Sequence, residues 1–174
     1  MKFKEKTLNK NYIYKGKILS LRADDVVLCD GKECKREIVE HSGGAGILYE
    51  KDGKILFVKQ YRYAFNEEIY EIPAGKIDKG ETPLETAFRE LKEECGLQAE
   101  KMMPLFKVYP SPGYTEEIIY IYKAENCKKT SSQLDDGEFL DCVWIDKKTV
   151  KKMLANKEIC DAKTLLALST ITDL

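Results

Sequence analysis

Histidine is nearly missing from this chain: His41 is the only one among 174 residues. A cysteine–histidine zinc site therefore has no partner set. None of the six cysteines (Cys29, Cys34, Cys95, Cys127, Cys142, Cys160) stands in a CxxC pair. A general base, if this chain uses one, is then more readily a carboxylate than an imidazole. Scattered cysteines fit reduced thiols in a cytoplasm. A large excess of either charge is missing too. The net charge is −1, so no broad basic surface offers itself to nucleic acid. No apolar run approaches the ~20 residues of a membrane helix. The opening MKFKEKTLNKNYIYKGK carries charges where a secretory signal needs an apolar core. A true phosphate loop is also lacking. His41-Ser42-Gly43-Gly44-Ala45-Gly46 has no Lys-Ser/Thr ending and leads into a strand, so its glycines read as a turn and close packing.

What is present is an acidic helix. Hydrophobic content of 43% and charged content of 34% describe a soluble globular protein with a real core. Within it, Gly75–Leu97 reads GKIDKGETPLETAFRELKEECGL. Thr82 is the expected N-cap, Pro83 takes the first helical position, and Glu85 completes a capping box. Gly96 is placed to end the helix in a left-handed conformation. Leu84, Ala87, Phe88, Leu91 and Cys95 follow helical spacing and are expected in a core. Glu90, Glu93 and Glu94 share the other face, where like charges cost roughly 0.2–0.5 kcal/mol per pair. Arg89 can pair with Glu85 or Glu93, one turn away on either side, but cannot neutralise every glutamate of the stretch. A hard divalent cation can, since Mg²⁺ prefers carboxylate oxygen. Glu90 and Glu94 are the best ligand pair, with Glu93 adjacent for a second ion.

The fixed positions Gly75, Glu81, Arg89-Glu90-Leu91, Glu93-Glu94 and Gly96-Leu97 match the Nudix box throughout. The chain thus resembles the Nudix hydrolases, which cleave nucleoside diphosphates linked to another moiety with Mg²⁺ or Mn²⁺. The resemblance implies the backbone carbonyl of Ala74 as a further ligand beside Glu90, Glu93 and Glu94.

The remaining elements read in order. Residues 11–41 are strand-like, with Asp30-Gly31 as a hairpin turn. This segment is too short to bury both faces alone and needs the rest of the fold or a second subunit. Ile47–Tyr49 and Lys54–Tyr61 are joined by Lys51-Asp52-Gly53, a second hairpin. Arg62 closes that run, where a guanidinium can grip phosphate bidentately. Ala99–Tyr109, Glu117–Ala124 and Phe139–Ile145 are further strands, and Ser111-Pro112-Gly113-Tyr114 is a turn. Asn126–Gly137 reads as a mobile polar loop. Asp146 and Asp161 are candidate caps for two last helices, the second burying Leu165, Leu166, Leu168 and Ile171. The expected fold is α/β (α+β): an α/β/α sandwich with a mixed central sheet, plus a small N-terminal antiparallel sheet. Residues 1–41 form the N-terminal segment and 42–174 the hydrolase domain.

The flanks resemble the ADP-ribose pyrophosphatase subfamily. Glu71-Ile72-Pro73-Ala74-Gly75-Lys76 matches its lead-in to the box, and Ser111-Pro112-Gly113 followed by Glu117 matches its proline region. Leu134-Asp135-Asp136-Gly137-Glu138-Phe139 matches its acidic loop, and Asp161-Ala162-Lys163-Thr164 its closing segment. The subfamily's loop glutamate, the general base, aligns here with Asp136, two residues before Glu138. The base is therefore open between Asp136, Glu138 and Glu93. The resemblance implies Lys17, Arg36 and Glu37 near the adenosine, from a homodimer partner where the geometry demands it. It implies Arg62, Ser111, Pro112 and Gly113 near the phosphates and terminal ribose, with Glu117 also in the substrate set. The leading expectation is Mg²⁺-dependent cleavage of ADP-ribose to AMP and ribose 5-phosphate in the cytoplasm. The alternatives are another Nudix substrate (a nucleotide-sugar or an oxidised nucleoside triphosphate) and a non-hydrolytic ADP-ribose sensor.

Overall fold

The structure, a computed structural model, describes residues 2–174. Its backbone contacts divide into two units, 1–43 with 109–118, and 44–108 with 119–174.

The first unit is an antiparallel sheet of β1 (Lys6–Asn9), β2 (Tyr12–Lys15), β3 (Leu19–Val27) and β4 (Glu33–His41). β4 runs the length of β3 on one edge, while β1 and β2 divide the other. Asp30-Gly31 turns the β3–β4 hairpin as the sequence predicts, and Gly31 supplies the positive φ of 87°. β1 carries no alternating apolar signal, so the reading that began at residue 11 omits it. The turn at Ser111–Tyr114 forms, with the Ser111 carbonyl accepting from the Tyr114 and Thr115 amides at 3.2 and 3.1 Å. The segment then pairs with β4 through Val39 and Thr115.

The second unit begins with β5 (Gly44–Leu48), β6 (Glu50–Lys51), β7 (Lys54–Arg62), β8 (Glu67–Glu71) and β9 (Ala74–Lys76). It continues with α1 (Pro83–Cys95), β10 (Leu97–Gln98), β11 (Lys101–Val108), β12 (Ile119–Glu125) and β13 (Lys128–Lys129). β14 (Leu140–Asp146), α2 (Lys147–Ala155) and α3 (Ala162–Leu168) complete it. The central layer is two sheets. One has the order β11-β12-β5-β9, with β12 and β5 parallel and the other pairs antiparallel. The other is β14-β7-β6, with β8 also on β7. Strand alternation sends side chains to two cores. Ala45, Ile47, Leu56 and Tyr122 pack with Ala87 and Leu91 of α1. Leu48, Ile55, Phe57 and Ile121 pack with Val150 and Met153 of α2 and Ala167 and Leu168 of α3. This is the α/β/α sandwich, with helix on both faces of the strands.

The caps form as read. Thr82 and Glu85 make the capping box, while Asp146 and Asp161 cap α2 and α3 through the Thr149 and Thr164 amides. Three expectations fail. Leu84 is 42% exposed, because the first turn of α1 is held by its cap and not by packing. Leu165 is 40% exposed, its place in the buried stripe taken by Thr164 and Ala167. Of the two partners open to Arg89, Glu93 is the one it takes, while the Glu85 carboxylate is spent on the Thr82 amide and hydroxyl. The 126–137 loop is tethered, not free. β13 pairs with β10, the Thr130 amide donates to the Gly96 carbonyl at 2.7 Å, and the Gln133 amide to the Glu93 carbonyl at 2.9 Å.

Gly96 joins helix end to loop. Its φ is 59°, and a β-carbon there would fall 2.8 Å from the Thr130 carbonyl oxygen. Gly96→Ala is expected to cost about 1–2 kcal/mol for the left-handed backbone alone, seen as a lower urea midpoint at unchanged m-value.

Candidate active site

The glutamates of α1 do not form a solvated ridge. Glu90 and Glu94 are 8% and 5% exposed, whereas Glu93 is half-buried. Their stripe lies against β9, and the helix can sit that close because Gly75 has no side chain. A β-carbon at Gly75 would stand 1.9 Å from Cδ of Glu90. Glu94 Oε2 accepts from the Ala74 amide at 2.9 Å. The strand thus contributes a backbone donor and the helix two buried carboxyls.

Burial sets the electrostatics. It pushes the Glu94 carboxyl up to about 9, helped by the negative charges of Glu90 and Glu138. Burial also raises Glu90 to about 7, opposed by Arg89. Arg89 is the local counter-charge. Its Nε and Nη2 take both oxygens of Glu81 at 2.8 Å, and its Nη1 reaches Glu90 at 2.7 Å and Glu93 at 3.0 Å. Its Nη2 also meets the Lys76 carbonyl at 3.1 Å. This bidentate grip holds Glu81 down at about 2. Among the described residues, no three acidic, histidine or cysteine side chains converge as a ready ligand set; Arg89 draws Glu90 and Glu93 to itself. The donors nonetheless suit a hard cation. They are buried oxygens carrying more negative charge than one guanidinium balances, and Glu94 has only an amide for company.

A second buried charge cluster flanks the first. Glu71, 2% exposed, takes Arg62 Nε at 2.5 Å and Nη2 at 2.9 Å, and pairs with Lys163 of α3. Thr164 Oγ1 accepts from the Ile72 amide at 2.8 Å, locking α3 to the strand end. Glu94 contributes to holding Arg62 charged, so the two clusters sense one another. Arg62 therefore meets the site with one edge of its guanidinium already committed. The sequence reading quoted Glu71 and Lys163 within motifs but gave them no role. A charge that is buried only through tertiary packing leaves no periodic signal.

The acidic loop separates its two candidates. Gly137, at φ 85°, and a Glu138 amide donating to the Asp135 carbonyl at 3.0 Å form a turn. Glu138 is half-buried and acts electrostatically on both Glu90 and Glu94. Asp136 is exposed at the turn.

The other expected substrate residues belong to the first unit. Lys17, Glu37, Pro112 and Gly113 are exposed, and Ser111 is half-buried. Arg36, also exposed, is held by Glu5 at 3.0 and 2.6 Å. Glu117 Oε1 lies 3.4 Å from His41 Nδ1.

Buried carboxyls over a glycine strand, one arginine threading them and a loop glutamate acting on them electrostatically form a cluster whose oxygen donors suit a hard cation. The NUDIX domain model matches residues 40–168, and the nucleoside diphosphate sugar hydrolase N-terminal domain matches 5–39. The chain belongs to the NUDIX domain family. It is 41% identical to an ADP-ribose pyrophosphatase of Bacillus subtilis over 94% of this chain and 90% of that protein. It is 40% identical to a methanol dehydrogenase activator of Bacillus methanolicus over 95% and 91%. A crystal structure of an ADP compounds hydrolase shares the fold, with a TM-score of 0.84 at 23% identity, covering 98% of this chain and 93% of that one.

The depressed Glu81 carboxyl has a testable sign. Its folded value lies below its unfolded one, so its contribution is full above about pH 4.5 and is lost as pH falls toward about 2. The melting-temperature gap between wild type and Glu81→Gln should be widest near pH 6 and should narrow by pH 3, as followed by calorimetry.

Proposed function

We propose that the protein hydrolyses ADP-ribose to AMP and ribose 5-phosphate, using Mg²⁺ or Mn²⁺ held by Glu90, Glu94 and the Ala74 carbonyl, with Glu93 beside them. The observation that carries this is the pair of buried carboxyls, Glu90 and Glu94, over Gly75. The relatives named ADP-ribose pyrophosphatase, at 41% and 38% identity, give the substrate. A divalent ion there supplies charge neutralisation and a more acidic water. The chain's own groups supply the rest. Glu138 is the base that takes a proton from the attacking water, since it is the loop carboxylate that faces Glu90 and Glu94. Asp136 and Glu93 are the alternatives it displaces. Arg62, steadied by Glu71, offers its remaining edge to a phosphate oxygen. Arg89 orients Glu93 and Glu90 through its hydrogen bonds and opposes the burial that disfavours charge on Glu90.

In this reading the 1–41 segment serves dimerisation and substrate contact. Ile13, Tyr14 and Ile18, at 65%, 57% and 64% exposure, favour a second copy as cover. Lys17, Arg36 and Glu37 then address the adenosine, while Ser111, Pro112, Gly113 and Glu117 address the distal ribose and phosphates. Sedimentation reads the dimer directly. A cytoplasmic setting is supported by six free thiols.

Product analysis with ADP-ribose and Mg²⁺ should yield AMP and ribose 5-phosphate, with EDTA abolishing turnover. A large preference for nucleoside triphosphates or a nucleotide-sugar would overturn the assignment. Glu138→Gln should lower kcat by roughly 10²–10⁴ while Mg²⁺ still raises the melting temperature. Asp136→Asn should cost less than about tenfold on the same scale. Glu94→Gln should lose both turnover and the Mg²⁺-dependent rise in melting temperature.

A further inference from the structure

Two cysteines far apart in sequence meet at the end of the acidic helix. Cys95 occupies the last turn of α1 and Cys142 lies on β14. Their sulfurs are 2.9 Å apart, and Cys142 Sγ is also 3.1 Å from the Glu94 carbonyl oxygen. Both thiols are free. They line an open cleft of about 390 Å³ whose other walls include Tyr49, Leu56, Leu97 and Trp144. Cys142 is exposed and Cys95 half-buried, so a small reagent in the cleft reaches Cys142 with Cys95 directly behind it. A disulfide requires sulfurs about 2.05 Å apart. Less than about 1 Å of approach separates this pair from a covalent bond on that measure, and a side-chain torsion adjustment supplies such a shift.

We propose that Cys95 and Cys142 form a peroxide-reactive dithiol that closes reversibly into an intramolecular disulfide. The Cys142 sulfur attacks one peroxide oxygen. The S–O bond forms as the O–O bond breaks, giving a sulfenic acid and one water. The Cys95 sulfur then displaces the sulfenic oxygen as a second water, and the S–S bond forms. The two sulfurs together lose two electrons, the two peroxide oxygens gain them, and both thiol hydrogens end in water. A cellular thiol reverses the bond by exchange. The product staples the residue after Glu94 to the strand that follows the acidic loop, closing a separation of 47 positions. Neither sulfur has a part in the proposed hydrolysis, so this inference stands or falls separately from it.

The test treats the reduced full-length protein with hydrogen peroxide, blocks remaining thiols with iodoacetamide, and maps tryptic peptides by mass. Two of the six thiols should disappear, a single linked peptide should join Cys95 to Cys142, and dithiothreitol should restore both. The oxidised protein should melt several degrees higher than the reduced one, because the cross-link restricts the unfolded chain. Cys142→Ser and Cys95→Ser should each lose the linked peptide and the rise in melting temperature. Cys127→Ser, in the same cleft, should keep both. A bond joining any other pair would overturn the proposal. So would sulfinic or sulfonic acid at Cys142 without the link, or thiols that all survive a peroxide dose that oxidises glutathione in the same vessel. A lower melting temperature on oxidation would also overturn it, by showing that the native fold does not accept the bond.

Discussion

The second unit is organised around a close approach. α1 lies on β9 with Glu90 in the space that a side chain at position 75 would fill. Placing two carboxyls there removes them from water, which disfavours their charge and raises both toward neutrality. An arrangement of that kind persists only if other interactions hold the helix in place. Ala87 and Leu91, fully buried and each three residues before Glu90 and Glu94, anchor the adjoining stripe in the core with Ala45, Ile47 and Leu56. The capping box fixes its start and the left-handed Gly96 its end. The helix is held by its apolar stripe and its termini, so that its acidic stripe is free to be unfavourable.

Arg89 explains how the fold tolerates this. A single guanidinium serves three carboxylates and a carbonyl, with its strongest grip on Glu81 rather than on the buried pair. Glu81 sits ahead of the helix, so Arg89 also ties the loop after β9 to the middle of α1. The arrangement leaves Glu94 outside the guanidinium's reach, with only the Ala74 amide as donor. The least compensated carboxyl is thus the one that meets the start of β9, where the proposed cation would sit.

Much of this was legible before the coordinates. Local signals carried the caps of all three helices, the Asp30-Gly31 and Asp52-Gly53 hairpins and the long strands, because each is written within a few residues. The spacing of Glu90, Glu93 and Glu94 puts them on one face but does not say how deeply Glu90 and Glu94 are buried. Helical periodicity reports which residues share a face, not what that face meets. Leu84 failed for the converse reason: an apolar residue in phase with the stripe lies where no partner reaches. The Arg62–Glu71–Lys163 cluster joins residues 62, 71 and 163, and the Cys95–Cys142 contact joins two separate elements. Pairings of that range depend on the sheet order, which the sequence pattern leaves open.

The two buried clusters bear on each other through Glu94. Arg62 is held charged by Glu71 first and by Glu94 more weakly. Arg62 has thus been given a structural partner strong enough to fix its orientation, while a weaker one looks into the site. A guanidinium so positioned loses little side-chain freedom on meeting a phosphate oxygen, because that freedom was surrendered on folding. The same logic applies to Glu138, whose turn is set by Gly137 and the Asp135 carbonyl before any substrate arrives. The site's groups are therefore arranged ahead of binding by contacts on their far sides. The proposed chemistry would depend on those supporting contacts as much as on the carboxylates themselves.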